Sequence, residues 1–247
     1  MAAPSSFRLS VGELVSTSLG VYFRNFVPFV LLGLVVQSPG IALQHLAAAP
    51  AGQEPTLEQA MTGLGLTVLQ SVLTFLLTGA ISFGVVMQLR GERAPIGQSI
   101  VRGLQSFFRV LGTGMLCGLR IVLFTLLLVV PGILEAIRLY VAIPAAAMEG
   151  KAGNDAARRS IALVDGSRWQ LFGAWLLIVV LSAVFGGVAG MILAGVTDHP
   201  ADLWMWFEIV VTVPLNTFSS TMMAVAYFLL RKGKENVDAR EIARVFD

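Results

Sequence analysis

Six long apolar stretches limit what this chain can fold into. They run at about 27–46, 64–89, 108–130, 133–148, 169–195 and 203–230. A helix needs about 20 apolar residues to cross a hydrocarbon core about 30 Å thick. Only 13% of the 247 residues are charged, against 56% hydrophobic. Soluble domains carry about 25% charge, so one soluble domain could not cover this much apolar surface. The expectation is an all-α polytopic membrane protein with six transmembrane helices, forming a single membrane domain over 1–247.

The side of each loop follows from charge. The loops at 47–58 and 197–202 hold Glu54, Glu58, Asp198 and Asp202 and no Lys or Arg. Of the 17 Lys and Arg, all but Arg120 and Arg138 fall on the opposite side. The positive-inside rule then puts both termini in the cytoplasm. Arginine outnumbers lysine, and alanine and glycine are abundant, which points to a GC-rich bacterium; the expected location is its cytoplasmic (inner) membrane. The charged, amphipathic start is not expected to be a cleavable signal peptide.

Three polar-apolar segments, 7–26, 94–107 and 152–167, precede the odd-numbered spans. In the first, Val11, Leu14, Val15, Leu19, Tyr22 and Phe23 recur at helical spacing. Each reads as an amphipathic helix in the membrane interface. The chain therefore divides into three units of interfacial helix plus hairpin. That regularity would also arise from shared membrane constraints alone.

Several positions carry packing or breaking signals. Pro39-Gly40 should kink the first span. Thr67, Ser71, Thr74, Thr78 and Ser82 share one face of the second, as a packing surface or a polar lining. Gly114-x-x-x-Gly118 and Gly186-x-x-x-Gly190 suit close helix approach. Pro131-Gly132 is expected to turn the chain, leaving a short fourth span.

Catalytic chemistry is poorly supplied. The histidines, His45 and His199, have no neighbours at metal-ligand spacing. Asp198, His199 and Asp202 read as a solvated turn. No phosphate-binding glycine loop or nucleophile elbow occurs. Lone Cys117 excludes an internal disulfide and reads as a buried, inert thiol. No cofactor, metal or nucleic-acid partner is expected.

Arg120, Glu135 and Arg138 remain. Charges inside a span are expensive and need partners. Glu135 and Arg138 are three residues apart and can pair, and Arg120 is placed to join them across the hairpin. The cluster either fixes hairpin register or forms a polar site for an anion, a lipid headgroup or a moving ion. Arg109, Arg158, Arg159 and Arg168 are candidate headgroup contacts at the interface.

Pro131-Gly132-Ile133, Arg138-Leu139, Pro144, Glu149-Gly150, Ala156, Arg158-Arg159-Ser160, Leu163, Gly166 and Trp169 form a pattern of about forty residues. It resembles a group of prokaryotic multi-span proteins described as the membrane domain of glycerophosphoryl diester phosphodiesterases. The resemblance implies a six-span protein without catalytic activity, because in that group the chemistry belongs to a separate soluble domain, which these residues are not expected to contain. Glu135 and Asp165 depart from the pattern. The functional expectation is a non-enzymatic scaffold or accessory subunit that contacts membrane lipids and other subunits or itself. The alternative is a transporter or lipid-translocating protein using the Arg/Glu cluster.

Overall fold

The computed structural model describes residues 9–47, 56–89, 101, 105–196 and 205–235. Among them there is helix and no strand, and six helical stretches are long and apolar enough to cross a membrane. The protein is an all-α, helical membrane-type fold. Nine α-helices are labelled here in chain order. Most of the predicted segment at 94–107 lies outside the described residues, as do 48–55 of the first acidic loop and all of the second.

Helix α1 (Val11–Arg24) opens with Ser10, whose Oγ accepts the Glu13 N–H at 3.5 Å. Ser and Glu three residues apart satisfy orphan donors at a helix start. Its apolar side, with Leu14, Val21 and Tyr22, is buried, largely against the last span. α2 (Phe26–Leu46) follows after one non-helical residue, Asn25, and continues through Pro39. α3 (Leu57–Leu89) starts seven residues before the predicted span, so it is 33 residues long.

The hairpin differs from the expectation in an instructive way. α4 (Phe107–Leu127) and α5 (Val129–Arg138) are separated by Leu128 alone, whose backbone is extended. The turn is therefore at Leu128 and not at Pro131-Gly132. Pro131 sits in the first turn of α5, where a missing N–H costs nothing. Gly132 lies against Thr125, leaving no room for a Cβ. The fourth span starts at 129 rather than 133, which removes its apparent shortness.

That span is broken. α5 ends at Arg138, and α6 (Ala142–Glu149) begins after three residues of turn. Pro144 explains the position: it has no N–H for the Tyr140 carbonyl and crowds it. α6 stops at Gly150, which has φ +68°, a backbone shape that favours glycine as a helix stop. α7 (Asn154–Val164) packs Ala156, Ala157, Ser160, Leu163 and Val164 inward. Gly166, at φ +79°, leads into α8 (Arg168–Val196). The last span begins at Met205, passes through a π turn at Glu208–Thr212, and ends in α9 (Val213–Glu235). Pro214, which cannot donate to Val210, accounts for that slip in register.

α3 and α9 form the centre of the bundle, with α2 and α6 beside them. Leu77, Ile81, Met222, Val225 and Tyr227 are almost fully buried there. α8 stands apart. Leu171 and Ala174 pack, yet only 11% of its most apolar stretch is buried.

Candidate functional site

α4 and α5 bring the three intramembrane charges together. Arg120 lies 13 residues into α4, about 20 Å from its start and about 10 Å from its end. The Arg120 guanidinium pairs with one Glu135 oxygen, and Arg138 Nη1 donates to the other at 3.2 Å. Glu135 is 2% exposed, whereas the Arg120 and Arg138 side chains are 31% and 39% exposed. The carboxylate is thus sealed between the two helices, while both arginine side chains stay partly exposed, with Arg138 Nε itself buried. One acid facing two bases leaves net positive charge at mid-span. A cavity of about 190 Å³ lies alongside, and its walls include Ile121, Ala136 and Ile137, the chain neighbours of the three charged residues. Cys117 is free and buried there.

The break below the triad is held by α7. In a continuous helix the Val141 N–H would bond the Ile137 carbonyl, and the Arg138 carbonyl would accept from Ala142. Here Ala142 N–H donates to Leu139 O instead. Ser160 replaces both lost partners: its Oγ accepts the Val141 N–H at 3.3 Å and donates to the Arg138 carbonyl at 2.9 Å.

Next to this clamp is an ionic clasp. Both Glu149 oxygens accept from Arg159 Nε, at 2.8 and 2.9 Å, and one also accepts from the Tyr227 hydroxyl at 2.8 Å. Arg159 also reaches Glu235, which Arg231 joins at 3.1 Å. The hydrogen bond to Glu235, opposed by burial and helped by Glu149, holds the Arg159 guanidinium above the usual arginine range. Lys234 Nζ donates to the Ala162 and Asp165 carbonyls and so caps α7. Of the four interfacial arginines, Arg159 is therefore committed to α6 and α9. Arg109 and Arg158 are exposed, and Arg168 pairs with Asp165 at 2.9 Å.

A second polar centre was not singled out from the sequence. Gln37 Oε1 accepts from Gln70 Nε2 at 3.2 Å and from Asn216 Nδ2 at 2.9 Å, so α2, α3 and α9 meet through three amides. Gln37 is 1% exposed. Gly40 makes room for Gln70, and Gly33 for Thr217. Gln37, Gln70 and Asn216 are each legible as polar interruptions of apolar runs, but only the hydroxyl stripe forms a pattern along the chain. Those stripe hydroxyls each donate to the carbonyl four residues back, and Thr78 also meets Ser220 across the interface at 2.9 Å. Gln37→Leu should strand two partly buried amide donors. We expect a loss of about 1–2 kcal/mol, read as a lower thermal midpoint in detergent.

The glycine signals are used unevenly. Gly114 takes the ring of Phe75, while Gly118, Gly186, Gly187 and Gly190 have open space where a Cβ would stand. Among the described residues no group of three or more His, Cys, Asp or Glu is placed to hold a metal ion. Comparison with protein families, with curated proteins and with solved structures finds no match to the chain.

Proposed function

We propose that the chain is a non-enzymatic subunit or scaffold of a membrane assembly, in the cytoplasmic membrane of a bacterium with both termini in the cytoplasm. One observation carries this reading: the Arg120 and Arg138 side chains stand about a third exposed inside the span, and the nearby Leu119, Val122, Leu123 and Leu134 are exposed and apolar. A guanidinium facing acyl chains is costly, and a partner helix that brings a carboxylate or carbonyl removes that cost. The isolated α8, with its open glycine face, supplies a second surface of the same kind.

The test is extraction in mild detergent followed by mass determination. The wild-type chain should run larger than one copy, with a second chain of its own or another kind. A variant with Arg120, Glu135 and Arg138 all changed to Leu keeps no stranded charge and should fold, yet run as a monomer. A monodisperse wild-type monomer would overturn the proposal.

The carrier reading is favoured by the break at 139–141 and the π turn before Pro214. Discontinuous spans are common where substrates bind at mid-membrane. It requires water at the triad, so Arg138→Cys should then react with a membrane-impermeant maleimide in intact membranes. Under the assembly reading it should not.

A further inference from the structure

Two faces of α5 do different jobs. Gly132 and Glu135 turn towards α4, whereas Val130, Ile133, Leu134 and Ile137 form an i, i+3, i+4, i+7 stripe on another side. That stripe and the first turn of α8 enclose a groove of about 340 Å³. On the α8 side the walls are Trp169 and Phe172, in edge-to-face contact with centroids 6.1 Å apart. The stripe is about 10 Å long. One charge lines the groove: Arg168, at its α8 end.

We propose that this groove holds one acyl chain of an anionic phospholipid, with its phosphate on Arg168. Three observations select that occupant over a protein helix. First, bulky side chains line the groove and no small ones do, whereas helices in membranes approach each other through Gly, Ala and Ser. A flexible chain fits between isoleucine, leucine and phenylalanine side chains where a second backbone does not. Second, the one cation lining the groove is the first residue of α8, close in the chain to the charged α7, and basic residues next to a span are those that meet anionic headgroups. Third, Trp169 is 77% exposed there, and tryptophan prefers the headgroup boundary.

Arg168 is available for the task. Its partner Asp165 is 69% exposed and the pair is a surface one, so it contributes little and yields readily to a phosphate. Guanidinium binds phosphate through two parallel N–H bonds, and the α8 N-terminus adds positive potential.

This proposal requires a membrane-embedded chain but no protein partner, so its outcome is separate from partner capture. The delipidated full chain is offered mixed micelles of phosphatidylglycerol and phosphatidylcholine in equal amounts, and bound lipid is counted by native mass spectrometry. We expect one retained phosphatidylglycerol, favoured about tenfold. Arg168→Gln should bring the two lipids to parity, and Ile133→Trp, which fills the groove, should expel both, with helicity by circular dichroism unchanged in each. A preference that survives Arg168→Gln would overturn the proposal, as would lipid retained by Ile133→Trp. So would an Ile133→Trp variant that turns a dimer into a monomer without losing lipid, because the groove would then hold a second copy.

Discussion

Glu135→Ala should destabilise the protein by about 3 kcal/mol, the low end for breaking a buried ion pair. The carboxylate is sealed between α4 and α5 while its two arginines remain partly open. Removing it leaves two guanidinium groups near mid-span with no counter-charge. The low end applies because a third-exposed arginine can relax outward. Thermal unfolding in detergent micelles would read the loss directly. The companion measurement is the triple leucine variant at 120, 135 and 138. Replacing a whole buried ion cluster by apolar side chains is often neutral or stabilising, so the triple variant should unfold within about 1 kcal/mol of wild type. Strong non-additivity of that sign shows coupled residues. If the triple variant is as unstable as Glu135→Ala, the triad does not act as a unit.

The second large effect is expected at Ser160. Its hydroxyl satisfies one donor and one acceptor exposed by the break, and Ser160 and Val141 are both fully buried. Each buried polar group left alone costs about 1–3 kcal/mol, so Ser160→Ala should lose about 2–4 kcal/mol. Ser160→Thr keeps the hydroxyl and should recover much of the loss. Adding Pro144→Ala to Ser160→Ala should also recover part of it, because residue 144 regains an N–H for the Tyr140 carbonyl and the helix can close over the gap. Protease resistance of the purified variants would rank all three. A Ser160→Ala protein as stable as wild type would mean that the break is satisfied by other means.

The apolar runs and the charge pattern made the helical, membrane-spanning character legible, because hydropathy over 20 residues is a strong signal. The meeting of Arg120, Glu135 and Arg138 was also legible: three charges in apolar helices joined by a tight turn have few other partners. The turn residue was not. Pro and Gly together usually mark a reversal, but here Pro131 serves as a helix-start residue and an ordinary leucine does the turning. The break before Pro144 could be suspected from the proline alone, yet its stabilisation depended on Ser160, nineteen residues from Val141. A lone serine in an amphipathic pattern gives no sign of such a role. The amide cluster was hidden for the same reason, since Gln37, Gln70 and Asn216 are far apart in the chain and become one centre only when three helices pack.

The Ser160 clamp also has a mechanical consequence. Arg159 and Ser160 are consecutive, and they hold different things: one grips Glu149 and Glu235, the other grips the backbone of Arg138, whose side chain completes the ion triad. α7 is therefore tied at two adjacent residues, to the clasp on one side and to the break in the fourth span on the other. Anything that binds the exposed side of this peripheral helix and shifts it should therefore be felt at the charges inside the span, through the Ser160 hydroxyl and through the packing of Ala156 and Ala157 against α4 and α6.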